Sequence, residues 1–195
     1  SSPLTRGALN ADIVWVLGTV GLRWGELAGL RVRDVNVVKN RLRIEQNAVV
    51  VGTEVVVGTP KTHERREVVV PASVMKLIRA RMVGKGANEL LWSRRDGSPL
   101  RPPTHGGWYY NALERCMRAH EGFPRVTPHG LRHVAAGLMV SAGANVLAVS
   151  RQLGHADPSM TLKTYAALFD EDLSVLGARV DECVQNVVKL QSWGA

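Results

Sequence analysis

Apolar residues recur at helical spacing along much of the chain, on either side of one region of β-branched runs. In residues 6–20 they repeat every three or four positions, which predicts a helix that ends at Gly21. A short second helix is expected over residues 24–30. Later apolar stripes predict helices that begin at Pro71, Trp108, Thr127-Pro128, Asn145 and Asp157-Pro158, followed by a last amphipathic helix over residues 171–190.

The region from Val35 to Val70 predicts a small antiparallel sheet. Turn residues separate its five β-branched runs, which are VNVV, RLRIE, NAVVV, EVVV and a second EVVV. The polar segment Thr59–Arg66 lies between the last two runs and contains Lys61, so we expect it to form a basic hairpin tip. The apolar run Leu90–Trp92 is a further strand candidate. The expected fold class is α+β, mostly α-helical with a small antiparallel sheet.

Composition limits the possible classes of protein. A chain of 195 residues with 45% hydrophobic and 22% charged residues suits one soluble domain, residues 1–195. The net charge is +8, and residues 71–133 contribute 11 basic against 4 acidic side chains, which favours a polyanionic partner. Two distant cysteines predict neither a disulfide framework nor a zinc site, and no apolar run reaches the ~20 residues that cross a bilayer. The small number of cysteines makes a reducing, intracellular setting the default, so we expect a soluble cytoplasmic protein.

The segment Thr127–Tyr165 carries the strongest candidate chemistry, in the motifs TPHGLRH, LGH and KTY. On its first helix, Leu131, Val134, Ala135 and Leu138 cluster on one side, whereas His129, Arg132 and Ala136 lie on the other. We therefore expect the aliphatic side to face the core and the polar side to line a site. A helix N-terminus beside an arginine fork suits a phosphate.

Each of these residues also has a purely structural interpretation. His129 alone is more often a surface histidine, and Tyr165 alone is more often a half-buried aromatic. Arg132 could form an ion pair, although residues 126–140 contain no acidic partner. Tyr165 becomes a nucleophile only when a base or nearby cations stabilise its phenolate, and His155 could serve in that role.

Two further features leave alternatives open. Arg23, in the motif GLRWGEL, could bind a phosphate, form a structural pair with Glu26, or do both. His129 and His133 stand four residues apart as in a metal-binding helix, but position 130 is glycine rather than the glutamate of a zinc hydrolase. The chain has no glycine-rich phosphate loop, so neither a nucleotide cofactor nor a metal is predicted.

Five motifs occur along the chain in this order: GLRWGELAGLRVRDV, TPKTHERR, TPHGLRH, LGH and KTY. Together they resemble the tyrosine recombinase family, especially phage-type integrases. The resemblance runs from about Leu4 to Leu168. It implies a mostly α-helical catalytic domain with a small three-stranded antiparallel sheet. It also implies cleavage of DNA through a 3′-phosphotyrosine and rejoining to another strand.

The resemblance assigns roles to individual residues. Tyr165 would be the nucleophile, Arg23 and Arg132 would bind the non-bridging phosphate oxygens, and His155 would donate a further hydrogen bond to them. His129 resembles the family's general acid or base. Lys61 resembles the acid that protonates the departing 5′-oxygen. Gly130 and Val134 depart from the acidic and hydroxyl residues common in the family, which concerns supporting hydrogen bonds.

The resemblance also predicts partners and missing parts. We expect the N-terminal core-binding and arm-binding domains to be absent from this chain. The expected partners are double-stranded DNA, other protomers in a synaptic tetramer, and accessory DNA-bending or directionality proteins. The acidic tail helix, residues 170–195, is expected to pack either in cis or on a neighbouring protomer.

Three alternative functions share some of these features. A type IB topoisomerase would use the same chemistry without exchanging partners, although the integrase-like motifs argue against it. A DNA-binding module could keep the fold without catalysis, and a metal-dependent nuclease would need an ion. No motif encodes the DNA target sequence or whether integration, excision or resolution is the biological task.

Overall fold

The structure, a computed structural model, describes residues 6–58 and 65–168, together with 177, 178, 180–182 and 185. Seven helices lie in the continuous ranges: α1 (Arg6–Val20), α2 (Trp24–Ala28), α3 (Ala72–Met82), α4 (Trp108–Ala119), α5 (Gly130–Ser141), α6 (Val146–Leu153) and α7 (Pro158–Tyr165). Short 3-10 turns span Val32–Asp34 and Ala166–Leu168. The predicted last helix, residues 171–190, lies largely outside the described residues.

Five strands form two separate antiparallel units. Strands β1 (Val35–Asn36), β2 (Arg41–Ile44) and β5 (Arg66–Val69) make a three-stranded sheet in the order β1-β2-β5, whereas β3 (Asn47–Val51) and β4 (Glu54–Gly58) make a two-stranded hairpin. The small three-stranded sheet is confirmed. The predicted hairpin between the last two β-branched runs is wrong, because these runs are β4 and β5 and belong to different units.

The correction follows from the turns and from burial. Gly52, with φ 60°, and Thr53 form a two-residue turn that closes β4 directly onto β3. Strand β5 instead places Val68 opposite Leu42 of β2, and both side chains are fully buried. Residues 59–64, which include Lys61, lie outside the described residues. The other strand candidate, Leu90–Trp92, contributes a single bridge between Leu90 and Arg31.

Helix α5 differs from its prediction in start and orientation. It begins at Gly130, and the hydroxyl oxygen of Thr127 accepts a hydrogen bond from the Gly130 amide (2.9 Å), so Thr127 caps the turn before the helix. Arg132 is only 3% exposed, whereas Leu138, predicted to face the core, is 53% exposed. Since α5 packs between α1 and α6, the buried side is rotated toward Arg132.

Helix α4 buries Tyr109 and Leu113, whereas Cys116 is exposed and has a free thiol. The hydroxyl of Tyr109 donates to the carbonyl of Val126 (2.9 Å), which fixes the segment that precedes α5.

Two hydrophobic clusters position the site. The main cluster has 19 buried residues from α1 through α4, the three-stranded sheet and Leu131 of α5. The second consists of Ala136, Val149, Leu153 and Tyr165, from α5, α6 and α7. Four of the predicted site residues lie beside or within these clusters: Arg23 and Arg132 follow Leu22 and Leu131 of the main cluster, His155 lies two residues after Leu153 of the second, and Tyr165 belongs to the second. Within the described residues, no helix is both long and apolar enough to cross a membrane.

Candidate active site

Arg23 lies between α1 and α2, just after a glycine that closes α1. Gly21 has φ 78°, and a Cβ there would meet Cδ2 of Leu153 at 2.7 Å, so the turn requires glycine. Arg23 is the N-cap of α2: its amide donates to Oε2 of Glu26 (2.9 Å) and its Nη1 to Oε1 (3.0 Å). The structural pair is thus present, while the Arg23 side chain remains 46% exposed.

Glu26 is buried beneath this arginine and is shared with a second one. Nη1 and Nη2 of Arg66 donate to Oε1 and Oε2 of Glu26, each at 2.9 Å, in a bidentate pair. Burial alone would raise the pKa of the Glu26 carboxyl, but hydrogen bonds and charges from Arg66 and Arg23 hold that pKa below its usual value. The carboxylate is therefore ionised at neutral pH.

Arg132 connects α5 to the two segments that carry Arg23 and His155. Its Nη1 donates to the carbonyl of Gly21 (2.7 Å), and its Nη2 donates to the carbonyl of Leu153 (2.6 Å). Burial, followed by the charge of Arg23, lowers the Arg132 pKa to about 10, so the guanidinium stays protonated at neutral pH. Gly21 lies two residues before Arg23, and Leu153 lies two residues before His155, so these bonds hold both site segments against α5.

His155 follows the end of α6. Gly154 ends the helix in the left-handed conformation, with φ 69°, and the His155 amide donates back to the carbonyl of Ser150 (3.1 Å). Nδ1 of His155 lies 2.7 Å from Oγ1 of Thr161 on α7. Burial, with the nearby charges of Arg132 and Arg23, lowers the His155 pKa to about 4. A neutral imidazole is therefore held at neutral pH.

Tyr165 is buried at the end of α7, and its hydroxyl oxygen lies 2.9 Å from Nδ1 of His133. Burial raises the pKa of the phenol, and the charge of Arg132 partly opposes this increase. The ring of His129 stands edge-on to that of His133, with centroids 5.5 Å apart. Burial and the neighbouring His133 lower the pKa of His129.

The structure brings five of the six predicted site residues into one cluster; the sixth, Lys61, lies outside the described residues. Arg23 and Arg132 both influence the pKa of His155 and of His129, and Arg132 influences that of Tyr165. Among the described residues, no group of three or more His, Cys, Asp or Glu is close enough together to hold a metal.

Two features of the cluster were missed from the sequence. His133, weighed only as a metal ligand, is the hydrogen-bond partner of Tyr165. Arg66, expected at a basic hairpin tip, packs against Glu26, with 13% of its side chain exposed. The alternation of β5 could have indicated this orientation, because Arg66 lies two residues before the buried Val68.

This arrangement is suited to binding a phosphodiester. Three guanidinium groups, three imidazoles and a phenol share one partly buried site beside the carboxylate of Glu26. Guanidinium groups match phosphate oxygens in geometry and charge. A phenol beside them can attack phosphorus once its proton is removed.

Comparisons with known proteins agree with this geometry. The profile of the Phage integrase family matches residues 6–172. The integrase of Mycobacterium phage L5 is 32% identical over 172 residues, covering 84% of this chain and 45% of the integrase. The transposase of transposon Tn916 from Enterococcus faecalis is 29% identical over 179 residues, covering 85% of this chain and 44% of the transposase.

A solved structure confirms the fold. The Tn1549 transposon integrase, determined in complex with circular intermediate DNA, superposes with a TM-score of 0.72 at 22% identity, covering 93% of this chain and 67% of that one. The present chain spans about half the length of the curated relatives that it matches. With its motifs in order and the profile matched over most of its length, the chain belongs to the phage integrase family.

Proposed function

We propose that this chain is the catalytic domain of a site-specific DNA recombinase that cleaves one strand through a covalent phosphotyrosine. The observation that carries the proposal is the convergence of Arg23, Arg132, His155 and Tyr165 from four separate segments onto one site. Family membership and the DNA-bound Tn1549 integrase support DNA as the substrate.

The two arginines and His155 stabilise the reacting phosphate. As the phenolate oxygen adds to phosphorus, negative charge grows on the non-bridging oxygens, and preorganised guanidinium groups offset it. Arg132 still has N–H groups beyond the two that bind carbonyls, since a guanidinium has five. Removing one such donor typically costs about 10²–10³-fold in rate.

His133 is the group placed to take the proton of Tyr165. In the tautomer with its ring proton on Nε2, His133 accepts the phenol proton at Nδ1, across the observed 2.9 Å contact. The Tyr165 oxygen then bonds to phosphorus, and the bond from phosphorus to the 5′-oxygen breaks. The departing oxygen takes a proton from Lys61, the acid that the family resemblance indicates. Rejoining reverses these steps with a different 5′-hydroxyl.

Covalent trapping tests the proposal. The protein is incubated with duplex oligonucleotides of randomised central sequence that carry a nick just beyond the randomised stretch. Cleavage there releases a short fragment that diffuses away, so the enzyme remains attached to DNA. We expect a denaturation-resistant adduct whose peptide maps to Tyr165, and the recovered DNA then serves as the substrate for further assays.

Tyr165→Phe is the matched control, because it removes only the hydroxyl. An equal adduct yield from Tyr165→Phe would refute the assignment. Binding of the DNA pool without any adduct from the wild-type chain would indicate a non-catalytic DNA-binding module instead.

We further propose that other protomers act together with this domain on DNA. The synaptic tetramer and the accessory proteins expected from the family remain predictions. Exchange of strands between two labelled duplexes would distinguish recombination from the relaxation activity of a topoisomerase.

A further inference from the structure

Arg66 reaches from strand β5 to two other parts of the site. Its fork contacts both oxygens of Glu26, which also accept the backbone amide and Nη1 of Arg23. Each oxygen of Glu26 thus accepts one bond from Arg66 and one from Arg23. Because only 4% of the Glu26 side chain is exposed, water contributes little to this arrangement.

The same guanidinium packs against the end of α6. A Cβ on Gly154 would lie 2.6 Å from both Cζ and Nε of Arg66, so only a glycine allows this approach. Nε of Arg66 faces the carbonyl of Gln152 at 3.5 Å. The Gln152 side chain in turn bonds the amide and the carbonyl of Val69 on β5 (2.9 and 2.8 Å). Strand β5 and the turn that presents His155 are therefore held together at Arg66.

We propose that Arg66 is a positioning residue that neutralises Glu26 and thereby keeps the Arg23 guanidinium available for the phosphate. This inference rests on the proposed function. Without Arg66, Glu26 would have Arg23 as its one cationic partner. The Arg23 guanidinium would then form a full ion pair with Glu26, and its charge would no longer be available to a phosphate. With Arg66 bound to both carboxylate oxygens, Arg23 contributes one side-chain N–H to Glu26 and keeps 46% of its side chain exposed.

The geometry explains why a fork is needed at position 66. Lysine carries the same charge but offers a single nitrogen, so it cannot occupy both oxygens of Glu26 in one plane. Arg66→Lys should therefore free one carboxylate oxygen for Arg23. It should also loosen the packing against Gly154, next to His155.

The first experiment compares Arg66→Lys with the wild-type chain on the DNA recovered by trapping. We expect the single-turnover cleavage rate at saturating DNA to fall at least about 10-fold, consistent with partial loss of one phosphate donor. The dissociation constant for DNA should change less than about 3-fold, because the net charge is preserved. Arg43→Lys is the matched control, an exposed arginine on the neighbouring strand β2, and it should cleave at the wild-type rate.

The second experiment tests whether Arg66 acts through Glu26. Arg66→Met leaves Glu26 to bind Arg23 alone, and it should cleave more slowly than Arg66→Lys. Adding Glu26→Gln removes the competing charge, so the double variant Arg66→Met/Glu26→Gln should recover at least about 5-fold of the lost rate. Such coupling between contacting residues is what a double-mutant cycle measures. A merely structural role for Arg66 predicts no recovery when a second buried bond is removed.

The outcomes separate this inference from the proposed function. If the wild-type chain forms the Tyr165 adduct and Arg66→Lys cleaves equally fast, the positioning role is refuted while the function stands. Loss confined to DNA affinity or to the unfolding temperature would also refute it. Should Arg66→Met fail to fold, the Arg66→Lys comparison still decides. Absence of the wild-type adduct would instead overturn the function itself.

Discussion

Arg132 combines an observed structural role with its proposed role in the chemistry. Its guanidinium is buried among backbone oxygens and donates to the carbonyls at the ends of α1 and α6. Burying an unpaired charge is costly, but hydrogen bonds to two carbonyls offset much of that cost. The same bonds fix the spacing between the Arg23 turn and the His155 turn.

Arg132→Lys should therefore impair both stability and cleavage. A lysine ammonium cannot reach both carbonyls in the geometry of a planar fork, so one acceptor loses its partner, at a cost of about 1–3 kcal/mol. The cleavage rate should fall about 10²-fold or more, because the proposed phosphate donor is displaced. Urea unfolding and single-turnover cleavage measure the two effects. Arg151→Lys, on the exposed side of α6, is the control, and unchanged values for Arg132→Lys would contradict this role.

The lowered pKa of His155 predicts a pH dependence of stability. Burial, then the charges of Arg132 and Arg23, lowers the pKa to about 4 in the folded chain, whereas an unfolded histidine titrates near ~6.5. Between these values the unfolded state binds more protons, so the free energy of unfolding falls as the pH is lowered from about 6.5 to about 4. The contribution is fully present above pH ~6.5.

His155→Gln should flatten this part of the stability curve. Urea unfolding at several pH values between about 4 and 6.5 should show a smaller slope for His155→Gln than for the wild-type chain. His120→Gln is the control, since His120 is exposed beyond the end of α4. Identical slopes for wild type and His155→Gln would show that His155 titrates normally.

At the scale of elements, two features of the end of α6 require glycine at position 154, namely its backbone conformation and its contact with Arg66. Gly154 adopts φ 69°, which costs other residues about 1–2 kcal/mol, and it also faces Arg66 at a distance that leaves no room for a Cβ. Gly143, at the end of α5, has φ 82° but nothing within 4 Å of a Cβ. The two glycines differ chiefly in the contact with Arg66.

Gly154→Ala and Gly143→Ala therefore separate backbone strain from the displacement of Arg66. Gly143→Ala should destabilise the chain by about 1–2 kcal/mol and leave cleavage unchanged. Gly154→Ala should cost more than this and also slow cleavage, because Arg66 must move away from α6. Denaturant unfolding and single-turnover cleavage provide the comparison, and equal effects of both substitutions would exclude a special role for the Arg66 contact.

The elements also show which parts of the structure are predictable from sequence. The start of α6 at Asn145 and of α7 at Asp157 could be predicted, because each side chain caps its own helix, accepting from the amides of Ala148 and Ser159. The pairing of strands could not be predicted, because β-branched alternation indicates a strand but not which other strand it pairs with. Thus β5 was assigned to a hairpin with β4, although it pairs with β2.

The candidate site also has a part that the sequence predicts and a part that depends on tertiary packing. Arg23, Arg132, His155 and Tyr165 were expected together because ordered motifs and turn signals pointed to each of them. The burial of Arg66 on Glu26, and the contact of His133 with Tyr165, join residues 40 and 32 positions apart. No local pattern encodes such contacts, which depend on how α5, α7 and the sheet pack.

At the scale of the whole molecule, the site lies between two hydrophobic clusters of unequal size. The main cluster has 19 buried residues, whereas the cluster shared by α5, α6 and α7 has four, among them Tyr165. Polar contacts reinforce the junction: Nε2 of Gln152 donates to the carbonyl of Val20 (3.1 Å) in addition to binding β5. Because local stability follows buried apolar contact, we expect α6 and α7 to open at lower free energy than α1.

Native-state hydrogen exchange tests this expectation. In low urea, amides of α6 and α7 should exchange through an opening that costs less than global unfolding, whereas α1 amides should exchange only through global unfolding. Gln152→Ala should increase exchange in α6 and α7 while affecting α1 less, because it removes the bonds to Val20 and Val69. Asn88→Ala, which removes an exposed bond to Arg33, is the control. A single opening free energy for all three helices would show that α7 unfolds only with the whole domain. Separate openings would mean that α7, which carries Tyr165, can move while Arg23, which follows α1, remains in place.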